Sequence, residues 1–376
     1  MTQIYYVNFS KKHNAKKGFY SMGNSMRTSI LRKTGWGISK YRPQAPTLHT
    51  LAEKDVPQQR EDPFFRKQKE VNPSNEKLTP PFSVLSYNTL ADCNLVDQGQ
   101  FFYTPKWALP FSYRFENIMK ELEFYDADII CLQEVDRFEE FQDKLKHFGY
   151  DGEFMGRGSR YPEGCAIFYK IKKFDAIQVE GVRLNQLVQE YAVSKKDYKK
   201  NNVAQLLVLE ENNQFKRKLC IGNAHLLWDP SLEPVKVAQT HYLMHYIDGL
   251  KEKHNNKLPI ILCGDFNVKP DSRSYEIITE GICKQTNKKK DVLIHTHGVP
   301  LVSANVKQHY PTNFATNFFG TLDYIFYSAS DFHLVNVLEP FDNSSPPVKK
   351  YSAGPNPIMP SDHVPLLASF QLVNKR

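Results

Sequence analysis

The sequence of 376 residues has no paired-cysteine motif and no long apolar run, and each absence excludes a class of protein. None of the six cysteines forms a CxxC pair, which argues against a structural zinc site or a disulfide scaffold. No apolar run approaches the roughly 20 residues of a membrane-spanning helix. The cysteines are therefore interpreted as small core residues of a protein in a reducing compartment, above all those in apolar stretches: Cys131, Cys165, Cys220 and Cys263.

Acidic residues are absent from the first 52 positions, which hold nine Lys or Arg. These nine account for the net charge of +8, because the remainder has 40 basic and 41 acidic residues. Residues 1–80 also lack sustained periodicity and end in the turn-rich stretch VNPSNEKLTPP. We expect a basic, disordered tail and linker over 1–80 and a folded domain over 81–376. The expected location is cytoplasmic, with a mitochondrial transit peptide as the alternative.

From residue 82 onward, short apolar runs alternate with segments of helical periodicity, which favours one α/β domain. Helices are predicted over 115–124, 138–148 and 235–253. Strands are predicted over 82–87, 128–132, 165–169, 205–209, 219–223, 260–266, 321–327, 334–337 and 366–372.

The stretch ILCGDFN ends an apolar strand in a carboxylate and a carboxamide. Side chains two apart in a strand point the same way, so Asp265 and Asn267 should share one side and Phe266 should face the other. Gly264 allows the backbone to bend or to approach another segment closely. The apolar run before Gly264 is uninterrupted, which predicts a strand that is covered on both faces.

Other apolar strands also carry polar residues at or near their ends. Like charges repel, and buried carboxylates lose hydration, so such a cluster is stabilised by a divalent cation. Oxygen ligands suit magnesium, or alternatively manganese, and such a site fits hydrolysis of a phosphate ester. The residues concerned are Asn88, Glu134, Asn223, His225, Asp265, Asn267, Asp323, Asp362 and His363.

The motifs SYN, LQE, GNAH, GDFN, LDYIF and SDH, in this order, resemble the endonuclease/exonuclease/phosphatase superfamily over residues 82–372. The stretches HLLWDPSLEPVKVAQ, EGCAIFYK and PTNFATNFFGTLDYIFYS resemble the carbon catabolite repression deadenylases and their nocturnin and Angel relatives. The resemblance implies a DNase I-like fold. This is a four-layer α-β-β-α sandwich of two mixed sheets, with the site at one rim.

The resemblance also implies the roles of individual residues. Glu134 and Asp362 would hold the magnesium ion, and Asp323 would orient His363. The other residues implied to be catalytic are Asn88, His225, Asp265 and Asn267.

Substrate contacts are implied for Pro230 and Phe318, which would stack on the two faces of a base, and for Asn223. The implied activity is magnesium-dependent 3′→5′ cleavage of RNA, favouring poly(A) and releasing 5′-nucleotides. Two alternatives are a phosphatase acting on RNA 2′,3′-cyclic phosphate ends or on a dinucleotide phosphate, and a non-catalytic RNA-binding scaffold. The leucine-rich repeats that dock some deadenylases to a larger complex are not seen in the sequence, so the recruiting partner is undefined.

Overall fold

The computed structural model describes residues 63–75, 78–95, 101–186, 201–287, 290–295, 297–305, 310–341 and 346–373. Every predicted strand and helix is found, with ends that differ by at most four residues. The α-helices are α1 (Phe111–Tyr125), α2 (Phe138–His147), α3 (Glu233–Lys253), α4 (Arg273–Glu280) and α5 (Pro346–Tyr351). The strands are β1 (Gln68–Glu70), β2 (Phe82–Asn88), β3 (Ile129–Val135), β4 (Tyr150–Gly156), β5 (Gly164–Lys170), β6 (Phe174–Arg183), β7 (Val203–Glu211), β8 (Lys218–His225), β9 (Ile260–Asp265), β10 (Ile282–Asn287), β11 (Lys290–His295), β12 (Val302–Ser303), β13 (Asn313–Ala315), β14 (Phe318–Gly320), β15 (Asp323–Tyr327), β16 (Phe332–Leu338) and β17 (Leu366–Leu372).

Two mixed sheets dominate the described part of the chain. The first sheet has the strand order β1-β16-β17-β2-β3-β5-β4, and the second has the order β12-β15-β9-β8-β7-β6. Each contains one parallel pair, β2 with β3 and β8 with β9, whereas the other pairs are antiparallel. Two small hairpins, β10-β11 and β13-β14, lie outside these sheets.

Three apolar layers explain why the strands are apolar on both faces. One layer lies between the sheets and contains residues of both, such as Ile129 and Ile261. A second joins the first sheet to α1 and α2, and a third joins the second sheet to α3 and α4. The predicted four-layer sandwich is confirmed. Four cysteines predicted as core residues are confirmed as buried free thiols: Cys131, Cys165, Cys220 and Cys263.

The predicted linker up to residue 80 is wrong for its last part, because residues 63–75 pack on the folded domain. Strand β1 pairs with β16 at the edge of the first sheet. Just before β1, the ring of Phe65 stacks on Phe124 with centroids 4.1 Å apart. The charge of the buried Arg66 is stabilised by three contacts. Its guanidinium donates hydrogen bonds to the carbonyl oxygens of Glu339 and Pro365 and lies over the ring of Phe341. The predicted disordered tail before residue 63 lies outside the described residues.

Helix α1 buries an acidic group whose titration affects stability. The Tyr87 hydroxyl donates a hydrogen bond of 2.9 Å to the Glu121 carboxyl. Burial raises the pKa of Glu121 from 4.5 to about 8, against the lowering effects of that hydrogen bond and of Arg66. Between these pH values the native state retains a proton that the unfolded state has lost. The free energy of unfolding therefore falls as the pH rises from 4.5 to 8.

Replacing Glu121 with Gln removes this titration. We expect E121Q to be more stable than the wild type at pH 8.5 by about 3–5 kcal/mol, with a smaller difference at pH 5. Urea unfolding followed by circular dichroism at both pH values measures this. The matched control is Glu123→Gln, on the exposed side of the same helix. An E121Q curve parallel to that of the wild type would contradict the assignment.

Candidate active site

Polar strand ends of both sheets meet at one rim of the sandwich. In the parallel pair β2-β3, Asn88 lies beside Gln133, and in β8-β9, His225 lies beside Asp265. The antiparallel neighbour β15 begins at Asp323, directly opposite Asp265. Because parallel strands end at the same edge, groups far apart in the sequence are neighbours here.

The amide of Asn88 joins two carboxylates that belong to different sheets. Its Nδ2 donates one hydrogen bond to Glu134 Oε1 and one to Asp265 Oδ2, each 3.0 Å long. Both amide hydrogens are thereby used. Asn88 therefore holds the two carboxylates side by side, across the gap between the sheets.

Glu134 owes its position to an irregularity in β3. The pairing of β3 with β5 shifts register between Leu132 and Val135, and Glu134 adopts a left-handed φ of 55°. Such a conformation is unfavourable for a residue other than glycine and persists where the surroundings impose it. Here the carboxylate accepts hydrogen bonds from Ala91 N at 3.1 Å and from Asn94 Nδ2 at 2.6 Å.

Hydrogen-bond donors and a nearby imidazole keep Glu134 ionised. Burial acts to raise the pKa of its carboxyl, but His225 and the donors Asn88 and Asn94 outweigh burial, so that the pKa is lowered. A carboxylate that is charged and partly accessible is suited to bind a cation.

Asp265 and Asn267 sit at a backbone turn that requires glycine. Gly264 has a φ of 149°, and a Cβ there would lie 2.0 Å from the carbonyl oxygen of Ala224 on the paired strand. The predicted close approach is thus confirmed. Phe266 is buried on the α3–α4 side, whereas Asp265 Oδ2 points to the rim. Asn267 donates its backbone N–H to Asp265 Oδ1 at 2.9 Å.

A relay of hydrogen bonds fixes His363. Thr312 Oγ1 donates to Asp323 Oδ2 at 2.6 Å, and His363 Nδ1 donates to the same oxygen at 2.8 Å. The other ring nitrogen, Nε2, faces Asp265 Oδ2 at 3.6 Å. Although burial alone would lower the pKa of His363, the carboxylates of Asp323 and Asp265 raise it well above its usual value. His363 is therefore an imidazolium that points its Nε2–H into the site.

The second histidine has the opposite electrostatic character. His225 Nε2 lies 3.7 Å from Asp265 Oδ2 and 4.0 Å from Glu134 Oε1. Burial lowers the pKa of His225, and the two carboxylates only partly oppose this effect. The pKa values of the two imidazoles on either side of Asp265 are thus shifted in opposite directions, which is typical of acid–base sites.

The donor set fits a hard divalent cation. Four carboxylates, of Glu134, Asp265, Asp323 and Asp362, face one imidazolium, so the cluster carries excess negative charge. Burial raises the pKa of Asp362, with His363 lowering it and the charge of Glu134 raising it. Oxygen ligands and uncompensated charge are the conditions under which magnesium or manganese binds.

A second group of atoms could also hold an ion. Single ligand atoms of Asp265, Asp323 and His363 all lie within 4.8 Å of one another. However, Asp323 Oδ2 and His363 Nδ1 are already hydrogen-bonded to each other. The assignment of the metal to Glu134 and Asp362 stays a prediction.

Asn223, predicted to contact the substrate, does not reach the rim. It is fully buried, and its Nδ2 donates to the carbonyls of Leu132 at 2.8 Å and Ala166 at 2.9 Å. Its Oδ1 accepts a hydrogen bond of 2.8 Å from Gln133. Since its donors are used within the protein, this prediction is wrong. Asn223 instead ties the second sheet to the first beneath the site.

The two residues predicted to stack on a base lie on accessible surface segments. Pro230 is exposed and begins a short 3₁₀ turn before α3, and Phe318 is half-buried in the β13-β14 hairpin. Trp228, two residues before Pro230, is 65% exposed, and Phe319, directly after Phe318, is 49% exposed. Stacking by Pro230 and Phe318 stays a prediction.

Several residues that shape the site were not predicted from the sequence. Asn94 binds Glu134, and Thr312 binds Asp323. Ser361 donates from Oγ to the Asn88 carbonyl at 2.8 Å and accepts the backbone N–H of His363 at 3.1 Å. The only sequence signal for them is a position near a recognised motif, since they lie in turns without periodicity.

Comparison with known proteins agrees with this geometry. The family profile described as "Endonuclease/Exonuclease/phosphatase family" matches residues 85–363. The chain belongs to the endonuclease/exonuclease/phosphatase family. The superfamily predicted from the motifs is thereby confirmed.

The similarity falls within the deadenylase and Angel branch of that family, as predicted. The chain is 31% identical to "CCR4-NOT transcription complex subunit 6-like-B" of Xenopus laevis, over 78% of this chain and 64% of that one. It is 29% identical to "CCR4-Not complex 3′-5′-exoribonuclease subunit Ccr4" of Mycosarcoma maydis, over 80% and 52%. A crystal structure of "ANGEL2, a 2′,3′-cyclic phosphatase, in complex with adenosine-2′,3′-vanadate" superimposes with a TM-score of 0.69 at 27% identity, over 82% of this chain and 99% of that one.

The chain spans less than two thirds of the length of the curated relatives it matches. Among the helices of the described residues, none combines the length and apolar character needed to cross a membrane.

The close contact at Gly264 gives a direct test of how the site is positioned. We expect Gly264→Ala to lower the free energy of unfolding by about 3 kcal/mol or more, because the new methyl group clashes with the Ala224 carbonyl and displaces Asp265. Thermal unfolding measures the change. Gly249→Ala in α3 is the control: no atom lies within 4 Å of its Cβ, so its stability should be unchanged or increased. Equal melting temperatures for the two variants would contradict this account.

Proposed function

We propose that this protein is a divalent-cation-dependent 3′→5′ exoribonuclease of the deadenylase type, which releases 5′-nucleotides and favours poly(A). One observation carries the proposal. Asp265 Oδ2 accepts a hydrogen bond from Asn88, which also binds Glu134, and the same oxygen faces both His225 and His363. The Mycosarcoma relative, named as a 3′-5′-exoribonuclease subunit, supports RNA as the substrate. A cytoplasmic location stays a prediction.

Asp265 is our candidate general base for the attacking water. Burial raises the pKa of its carboxyl, with a further contribution from Asp323, whereas both histidines lower it. A raised proton affinity suits a carboxylate that accepts a proton during the reaction. Its Oδ1 is held by the Asn267 N–H, so that Oδ2 faces the rim.

His363 is our candidate for stabilising the charge that develops on the phosphoryl group. Its Nδ1–H is used by Asp323, which leaves the Nε2–H of the imidazolium for a phosphoryl oxygen. His225 would form a single hydrogen bond to the substrate through Nε2. Asn267 uses one amide hydrogen on the Leu226 carbonyl, at 3.2 Å, and can offer the other to a phosphate.

Glu134 and Asp362 would hold the cation. Magnesium at this position would neutralise negative charge on the phosphoryl oxygens. Asn88 does not contact the phosphate in this proposal, since both its amide hydrogens hold carboxylates.

Pro230 and Phe318 would bind the terminal base by stacking, a contribution of about 1–3 kcal/mol per base. The ammonium of Lys269 lies 6.0 Å from the centre of the Phe318 ring, where it would attract the phosphate of a stacked nucleotide. The recruiting partner of the chain stays undefined.

Defined RNAs test the proposal. We expect purified protein with magnesium to shorten a 5′-labelled RNA with a 3′ A-tail, one nucleotide at a time, and to shorten a U-tail more slowly. Thin-layer chromatography of the products should show 5′-AMP. An intact A-tailed RNA, under conditions where another phosphate ester is hydrolysed, would contradict exonuclease activity.

A 2′,3′-cyclic phosphatase is the second candidate function. The observation in its favour is the superposition on the crystal structure described as ANGEL2 bound to adenosine-2′,3′-vanadate. The same carboxylates and imidazoles would serve ring opening. Conversion of a cyclic phosphate end to a hydroxyl end, without shortening of the RNA, would support this candidate. Hydrolysis of a dinucleotide phosphate would instead support a nucleotide phosphatase. Binding of RNA without hydrolysis of any of these substrates would support the third alternative, a non-catalytic RNA-binding scaffold.

The metal assignment gives a further prediction. We expect Glu134→Gln to lower kcat by at least 100-fold and to shift the magnesium activation curve to higher concentration, because a charged ligand is lost. Initial rates across a magnesium titration measure both effects. Asp143→Asn, at an exposed position of α2, is the control and should leave the curve unchanged. A wild-type magnesium dependence in E134Q would exclude Glu134 as a ligand.

A further inference from the structure

The first turns of α3 bury two polar side chains beside the candidate active site. Lys236 is 6% exposed and Gln239 is fully buried. Removing an ammonium from water is unfavourable unless the protein supplies hydrogen-bond acceptors. The contacts of Lys236 therefore indicate what it contributes.

Lys236 connects the two loops that follow β8 and β9. Its Nζ donates to the carbonyl oxygen of Asn267 at 2.7 Å and to that of Trp228 at 3.4 Å. Asn267 adopts a left-handed φ of 51°, and its side chain donates to Leu226 O on the other loop. The turn that carries Asn267 is thus tied to the loop that leads to Pro230.

Gln239 extends this connection to His225. Its Oε1 accepts the backbone N–H of Leu227 at 3.0 Å, and its Nε2 donates to Asn202 Oδ1 at 3.1 Å. Asn202 in turn donates to the carbonyl oxygen of His225 at 3.1 Å. Lys236 and Gln239 thus bind backbone groups next to the site, Gln239 also binds the side chains of Asn202 and Asn185, and neither binds the side chain of His225 or Asn267.

We propose that Lys236 is a positioning residue, which sets the distance between the Asn267 turn and the Trp228–Pro230 loop and so aligns the phosphate and base sites. The inference rests on the proposed function for its kinetic consequences. A tether of this kind matters because a displacement of about 1 Å can lower the rate of a reaction by 100-fold. A lysine suits the task, since one ammonium has three donors and can reach two carbonyls at once.

Lys236→Met keeps the length and the apolar contacts of the side chain but removes its donors. We expect K236M to lose 10- to 100-fold in kcat, with a KM within threefold of the wild type. Lys236→Arg restores a cationic donor and should recover activity to within about fivefold. Lys253→Met, at the exposed end of the same helix, is the control and should match the wild type.

Two readouts separate positioning from general stabilisation. All assays are run below the melting midpoint of each variant, and Lys236→Ala is assayed with added propylammonium, which should restore part of its kcat. Amide hydrogen exchange, which needs no activity, should be faster in K236M for peptides that cover residues 226–230 and 266–270. Exchange in α3 itself should be unchanged.

The outcomes are distinguishable. Unchanged exchange in both peptides overturns the inference whatever the activity. An unchanged kcat, or a rise in KM alone, also overturns it when the wild type is active. A wild type inactive on every substrate overturns the proposed function, and the exchange result then still decides the role of Lys236. If K236M does not fold, Lys236→Ala, which also removes the donors, is tested by the same exchange criterion.

Discussion

Carboxylates that meet at one rim repel each other, and the hydrogen bonds of Asn88 are the interaction on which the rest of the site depends. The amide lies on the first sheet, and its two donors hold Glu134 of that sheet and Asp265 of the second at equal distances. Beneath it, Asn223 of the second sheet binds Gln133 and two carbonyls of the first. These amides fix the position of one sheet relative to the other. Five of the rim residues, Asn88, Glu134, His225, Asp265 and Asp323, lie on strands, which hold side chains more precisely than loops do.

The strand pattern of the sequence predicted one α/β domain whose apolar strands end in polar residues, and the resemblance to the family implied the sandwich and the site at its rim. Alternation of side chains correctly placed Asp265 and Phe266 on opposite faces. The same rule could not separate Asn223 from His225, which are two residues apart and share one face. Their roles differ because Asn223 lies one pair deeper between the sheets, and depth along a strand is a tertiary property. Thr312, Asn94 and Lys236 were missed because their roles arise from hydrogen bonds to distant segments, which periodicity does not encode.

The chemistry of the rim and the choice of substrate lie in different parts of the fold. Asp265, Asp323 and His363 are buried, and hydrogen bonds from Asn88, Thr312 and the Asp323–His363 pair hold them in place. The Trp228–Pro230 loop and the β13-β14 hairpin are accessible and rich in exposed rings, including Phe319. Differences between shortening an RNA and opening a cyclic phosphate are therefore expected from these accessible segments.

Anomalous X-ray diffraction from crystals soaked in manganese tests the central claim, that scattered carboxylates converge on a single hard cation. The account predicts one strong manganese peak at the rim, within coordination distance of a Glu134 oxygen and displaced by an excess of magnesium. Absence of a peak at the rim in crystals of an enzyme that manganese activates would contradict the account, as would a peak bound only by residues remote from Glu134.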